Sequence, residues 1–294
     1  MTFKHLMLHL PCTQNLVCNI LNISLSTFHY PQVQPEMIDL NIPWPVSGPN
    51  AASPSDRAKI SSAKASILFL QELGYKAVAL NCIYQGKIPA TLKCPVPDEI
   101  HKEFPDIRIY TRVTIVAEDL NHSFNLPNLY QQFDIVAIRP MSEKMLQAAC
   151  TNLDVDIVSM DMTRRLPCIP KHKTIGAATE RGVKIEVVYA PGLSSDPLAR
   201  KTSIANNSLV VRAARCRGLV ISSESLSSLS LRGPFDIMNL SYIWGLNSAR
   251  AREAVSKNPE AVIRNGLLRK KSYKQVVIAE PEEVREPLRK KQKV

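Results

Sequence analysis

The sequence predicts an α/β fold built on a parallel sheet, and three observations carry that expectation. From Met37 onward, seven short apolar, β-rich runs alternate with segments of helical character. Several runs are nearly continuous in Val, Ile, Leu and Ala, as strands covered on both faces should be. Pro near a helix start and Gly just past a helix end punctuate the segments between them. Seven such repeats favour a TIM-like barrel of seven parallel strands with surrounding helices over the alternative, an open doubly wound sheet.

Taken in order, the first strand is expected at Ile38–Ile42, followed by a helical segment at Ser55–Leu73 that Gly74 closes. The next strands are Lys76–Asn81, Ile107–Val116 and Asp134–Ile138, and a helix follows at Ser142–Cys150. Strands then fall at Asp156–Met160 and Lys184–Tyr189, with a helix from Pro197 to Cys216 ahead of Gly218 and a seventh strand at Leu219–Ser222. Helices at Gly233–Trp244, Ser248–Val255 and Glu260–Leu268 are expected to close and cap the barrel. The domain expectation is a barrel over residues 37–272. A poorly ordered extension over residues 1–36 precedes it, and a flexible basic tail over 273–294, rich in Lys, Glu and Pro, follows.

With 294 residues and 45% hydrophobic content the chain can bury a substantial core. The seven cysteines are scattered without a CxxC pair, which suits a reducing compartment. No apolar run approaches the roughly 20 residues that a bilayer span needs, so no membrane partner is expected. The formal charge is +11 and unevenly placed. Asp161 to Arg217 holds eleven basic residues against four acidic ones, and residues 261–294 hold ten against four. Clustered cations of this kind favour a polyanionic partner, because each one near a phosphate releases a condensed counterion.

Catalytic chemistry is hard to find. A barrel enzyme places its catalytic residues at the C-terminal ends of strands. The first strand there reads Asp39-Leu40-Asn41, and no His-x-His occurs anywhere in the chain. Beyond Met37 only His101, His122 and His172 remain, too few for a multi-histidine metal cluster. Asp39, Asp154, Asp156 and Asp161 lie in or near strands, where they either converge on a site or cap helices and pair with arginines. GxGxxG, Walker and GxSxG motifs are all missing from the sequence, so no catalytic residue, metal site or cofactor is assigned.

The basic residues are more informative. On a helix, Arg200, Lys201, Arg212 and Arg215 share an arc of roughly 120°, into which Ile204 and Val211 intrude, with Leu198, Leu209, Ala213 and Cys216 on the other side. Arg164, Arg165, Lys171, Lys173 and Arg181 add charge in the preceding unit, and Arg269, Lys270 and Lys271 begin a later cluster. These twelve are the candidate RNA-binding residues. Arg289, Lys290, Lys291 and Lys293 resemble a nuclear localisation signal.

Longer words in the chain resemble one family. They are Ser142-Glu143-Lys144, then Ala148-Ala149-Cys150-Thr151-Asn152-Leu153-Asp154-Val155-Asp156-Ile157-Val158, Arg165-Leu166-Pro167, Glu180-Arg181-Gly182-Val183 and Glu186-Val187-Val188-Tyr189. Ile221-Ser222-Ser223, Leu231-Arg232-Gly233-Pro234-Phe235-Asp236 and Gly245-Leu246 follow in order. Over about residues 37–272 they are similar to the thirty-kilodalton protein subunit family shared by RNase P and RNase MRP. The opening Asp39-Leu40-Asn41-Ile42-Pro43-Trp44-Pro45 resembles the fungal members. The stretch Tyr189–Lys201 departs from the common pattern at Ala190-Pro191-Gly192 and Pro197-Leu198-Ala199.

The resemblance implies a barrel distantly related to the polymerase and histidinol phosphatase barrels. It also implies a non-catalytic, nuclear and nucleolar subunit of ribonucleoproteins whose RNA is the catalyst, acting in 5′-leader removal from precursor tRNA and in ribosomal RNA processing. The implied partners are the RNase P and RNase MRP RNAs, precursor tRNA or rRNA through the complex, a small ferredoxin-like protein subunit and a second copy of the chain. Two rival readings stand beside it: a metal-dependent phosphoesterase with carboxylate ligands, and a purely protein-binding nuclear scaffold.

Overall fold

A computed structural model describes residues 36–45, 54–86, 92–119, 126–193, 196–273 and 276–277. Apart from Glu36, the expected N-terminal extension lies outside the described residues, as does the tail beyond 277. Seven parallel strands follow one another around the sheet in chain order: β1 (Ile38–Trp44), β2 (Ala77–Gln85), β3 (Arg108–Ala117), β4 (Ile135–Pro140), β5 (Ile157–Val158), β6 (Lys184–Val188) and β7 (Leu219–Ser222). Helices stand between them: α1 (Pro54–Glu72), α2 (Ile100–Glu103), α3 (Leu126–Gln132), α4 (Glu143–Thr151), α5 (His172–Glu180) and α6 (Pro197–Ala213). After β7 come α7 (Pro234–Ser241), α8 (Ser248–Val255) and α9 (Lys257–Lys271). The result is a nearly closed TIM-like barrel, so the barrel reading holds over the open sheet.

The helices start where the local chemistry dictates. Ser142 caps α4 by accepting the Met145 N–H at 3.2 Å, and Asp196 caps α6 by accepting those of Leu198 and Ala199. Helix α6 stops at Ala213, three residues short of expectation, because Arg215 and Cys216 take left-handed φ values of 51° and 59°. The short helices α2, α3 and α5 were not expected individually, since none carries an apolar stripe long enough to read as periodic.

Alternation along the strands sorts two cores. Val78, Leu80, Val136, Ile138, Ile185 and Val187 pack outward against the helices. Ile38, Leu40, Ala77, Ala79, Ile135, Ala137, Ile157 and Val220 fill the lumen at the N-terminal ends of the strands, where Val262 and Ile263 of α9 join them. Each of those two α9 side chains is almost fully buried and contributes about 1.5–3 kcal/mol. Helix α9 thus plugs the floor, and Asn258 Nδ2 donates to the Leu219 carbonyl at 2.7 Å beneath β7.

Ladder pairing runs from β1 to β7 but does not join β7 back to β1. Two side chains and one backbone hydrogen bond bridge the seam instead. Asp39 Oδ1 accepts the Asn41 N–H at 3.0 Å and the Ser223 N–H at 3.1 Å. The Asn41 carbonyl accepts from Ser223 Oγ and from the Glu224 N–H. Burial pushes the Asp39 carboxyl above its ordinary pKa, and its Oδ2 finds no partner among the described residues.

Candidate functional site

The strand alternation that lines the floor with apolar groups brings polar ones inward in the lumen above it. There Arg112 of β3 and Glu186 of β6, both wholly buried, form a two-point ion pair: Nη1–Oε1 at 2.5 Å and Nη2–Oε2 at 2.7 Å. Arg112 also donates to the Leu40 carbonyl at 2.9 Å and to Thr114 Oγ1 at 3.2 Å. Thr114 donates to Asn81 Oδ1, Asn81 to Asn41 Oδ1, and Asn41 to Glu186 Oε1, which closes a ring of hydrogen bonds. Ser222 Oγ donates to Glu186 as well. Burial alone would raise the Glu186 carboxyl, but the Arg112 charge and these donors hold it down at about 2.

A second pair lies nearer the rim. Arg139 of β4 meets Glu224 at 2.5 Å and Ser159 Oγ at 3.3 Å, and Glu224 itself sits at a left-handed φ of 52°. The barrel interior above the floor therefore holds two guanidinium groups, each matched by a carboxylate. Neither carboxylate is free to ligate, and the cations disfavour a divalent ion on electrostatic grounds.

The four aspartates weighed as ligands do not converge. Asp39 serves the seam. Asp156 lies at the floor, where Arg269 grips it at 2.5 and 2.9 Å. Asp161 turns back on Thr163 and stands 3.9 Å from Arg164, and Asp154 lies in the loop ahead of β5. His101 and His172 are exposed on short helices, and His122 falls outside the described residues. Among the described residues, no group of three or more His, Cys, Asp or Glu side chains is placed to hold a metal.

The twelve candidate basic residues divide into two classes. Arg200, Lys201 and Arg212 are exposed along α6, and Arg215 in the left-handed turn just past its end, without an ion-pair partner among the described residues; Arg165 and Lys173 are equally free. Arg164 is exposed beside Asp161, and Lys171 meets Glu143 at 2.8 Å on open surface, a contact worth little. The rest have structural work. Arg181 donates to the carbonyls of Cys150 and Leu153. Arg269 stacks 4.3 Å over the Tyr130 ring while it pairs with Asp156. Lys270 meets Asp134 at 2.6 Å; burial alone would raise that carboxyl, but the Lys270 and Thr111 donors hold it below its ordinary pKa. Arg269 and Lys270, both candidate RNA-binding residues, thus also anchor α9 to the barrel floor. The Lys271 side chain lies outside the description.

The orientation of α6 also differs from the sequence reading. Its buried face is Ser203, Asn207, Val210 and Val211, whereas Leu198 is 71% exposed. Asn207 can occupy that face because its Nδ2 donates to the Val188 carbonyl at 2.9 Å. A reading that sought only an apolar stripe could not find it. Arg112 and Glu186 were missed for a related reason: within a strand an isolated charge reads as surface. The available signal was their place on the inward register of otherwise apolar strands.

Residues 36–271 match the family model of RNase P subunit p30. The chain belongs to the RNase P subunit p30 family. It is 36% identical over 240 residues to the probable ribonuclease P protein subunit 3 of Schizosaccharomyces pombe, covering 82% of this chain and 97% of that protein. It is 34% identical over 250 residues to the ribonuclease P/MRP protein subunit RPP1 of Saccharomyces cerevisiae, covering 82% and 84%. Among solved structures, a chain of an archaeal ribonuclease P determined by cryo-electron microscopy with mature tRNA matches at a TM-score of 0.58 and 16% identity, covering 84% of this chain and 99% of that one. The likeness to that archaeal chain confirms the fold. The p30-family match itself spans the whole barrel, from the edge of β1 to the last residue of α9.

Proposed function

We propose that this p30-family chain is a non-catalytic protein subunit of RNase P and RNase MRP, supporting 5′-leader removal from precursor tRNA and ribosomal RNA processing in the nucleus and nucleolus. The observation that carries the reading is the barrel lumen, where the Arg112–Glu186 pair and its hydrogen-bond ring fill the interior with matched charges instead of converging ligands. The relatives' names supply the complex. The working unit is the barrel, residues 37–272, with 1–36 and 273–294 as appended segments. Its partners are the two catalytic RNAs, a small ferredoxin-like subunit and a second copy of the chain.

Purifying the tagged protein and sequencing the retained RNA tests the assignment, with enrichment of RNase P and RNase MRP RNA expected. Enrichment of neither would refute it. The purified chain alone, supplied with Mg²⁺, is expected to leave precursor tRNA uncut. Cleavage that survives further purification and disappears in Asp39→Ala while the melting temperature stays at the parent's would establish the phosphoesterase reading instead.

The exposed cations of α6 carry the RNA contacts in this proposal. Replacing Arg200, Lys201, Arg212 and Arg215 with Ala is expected to weaken RNA association while the melting temperature stays near that of the parent, since exposed charges contribute little to stability. The slope of log affinity against log salt should flatten by about 0.7–0.9 per lost phosphate contact. An unchanged slope with loss of a protein partner would reassign these residues to a protein interface.

A further inference from the structure

Two grooves meet at Arg215. One runs between α5 and the end of α6, encloses about 430 Å³ and is lined by His172, Lys173, Arg215 and Arg217, with Glu180 as its acid. The other, of about 540 Å³, lies between α6 and the turn after α7, with Arg212, Arg215 and Cys216 on one wall and Tyr242, Ile243 and Trp244 on the other. The left-handed turn at Arg215 and Cys216 joins them, and Cys216 Sγ pins it by donating to the Gly245 carbonyl at 3.6 Å.

The second groove combines two kinds of surface. Tyr242 is 53% exposed and Ile243 is 61% exposed, so an aromatic ring and an aliphatic group stand uncovered beside guanidinium groups that have no acid partner among the described residues. Trp244 is buried in the same wall, and its indole Nε1–H has no acceptor there. A purely cationic track would suit duplex backbone, and a purely apolar trough would suit a protein. A half-exposed aromatic ring across a groove from two guanidinium groups unpaired among the described residues matches what an unstacked nucleotide presents: a base to stack and phosphates to neutralise.

We propose that this double groove binds single-stranded RNA, with one unpaired base against Tyr242 and Ile243 and the flanking phosphates on Arg212, Arg215, Lys173 and Arg217. The inference rests on the reading of α6 as an RNA-contacting helix and adds to it the structural state of the RNA and a base-stacking residue.

The test uses the full chain and fluorescence anisotropy with a single-stranded adenosine RNA about ten nucleotides long, inside the usual footprint of such sites. An RNA duplex of equal length serves as the comparison. Tyr242→Ala is expected to weaken single-strand binding by about tenfold or more while leaving duplex binding unchanged, and Tyr242→Phe is expected to retain the parent affinity. Arg212→Gln with Arg215→Gln should weaken single-strand binding and flatten its salt dependence. If Tyr242→Ala binds single strands like the parent while Arg200→Gln with Lys201→Gln binds RNA weakly, the groove is refuted and the broader RNA reading stands. Unchanged RNA affinity in every variant refutes both. Loss of a protein from the complex purified with Tyr242→Ala, at unchanged RNA affinity, makes the groove a protein interface and overturns the inference.

Discussion

Glu186→Gln is expected to cost on the order of 3–5 kcal/mol, because it leaves the Arg112 guanidinium wholly buried without its counter-charge. At this chain length that corresponds to a fall of roughly 10 °C in melting temperature. The double replacement Arg112→Met with Glu186→Leu should recover most of the loss, since removing both charges also removes the cost of burying them. A residual deficit is expected, as Asn41 and Ser222 lose an acceptor. The pH dependence follows from the sign of the shift. The folded-state pKa of Glu186 is depressed to about 2 from 4.5, so its contribution is complete above 4.5 and is lost as pH falls toward 2. The parent should therefore lose stability in that acid window more steeply than the Gln variant. A Gln variant that melts with the parent at neutral pH would show that the pair does not support the barrel.

Gly266→Ala should have the second large effect, in the direction opposite to helix propensity. Ala in a helix interior ordinarily gains about 1 kcal/mol over Gly. At position 266 the added Cβ would land on the Asp134 carbonyl oxygen, so α9 must lift from the floor. Lifting it disturbs the pairs Arg269–Asp156 and Lys270–Asp134 and withdraws Val262 and Ile263 from the lumen. A net loss of about 3 kcal/mol in urea unfolding is expected, at the upper end of the overpacking range. Gly176→Ala on α5 is the matched control: nothing lies within 4 Å of its new Cβ, and a gain of about 0.5–1 kcal/mol is expected. If both replacements stabilise the chain, α9 is not held against Asp134 as described.

The sequence by itself determined the seven strands, because parallel strands buried on both faces need runs such as Ala77–Leu80 and Ile135–Ile138 that stay apolar whatever surrounds them. It also determined the helix starts at Ser142 and Pro197, whose capping chemistry is local, and the words Leu231-Arg232-Gly233-Pro234-Phe235-Asp236 and their companions that resemble the family. Tertiary structure alone decided which polar groups are interior. Asn207 is buried because its amide supplies a donor to the Val188 carbonyl, and Arg112 and Glu186 because β3 and β6 bring them face to face across the lumen, 74 positions apart in the chain. It alone separated cations with structural work, Arg269 and Lys270, from the free ones of α6, since the carboxylates that engage them lie more than a hundred residues earlier. Backbone propensity and apolar patterning act over a few neighbouring residues and can be read along the chain. The cost of burying a charge depends on what stands opposite it, and that partner is supplied by the fold.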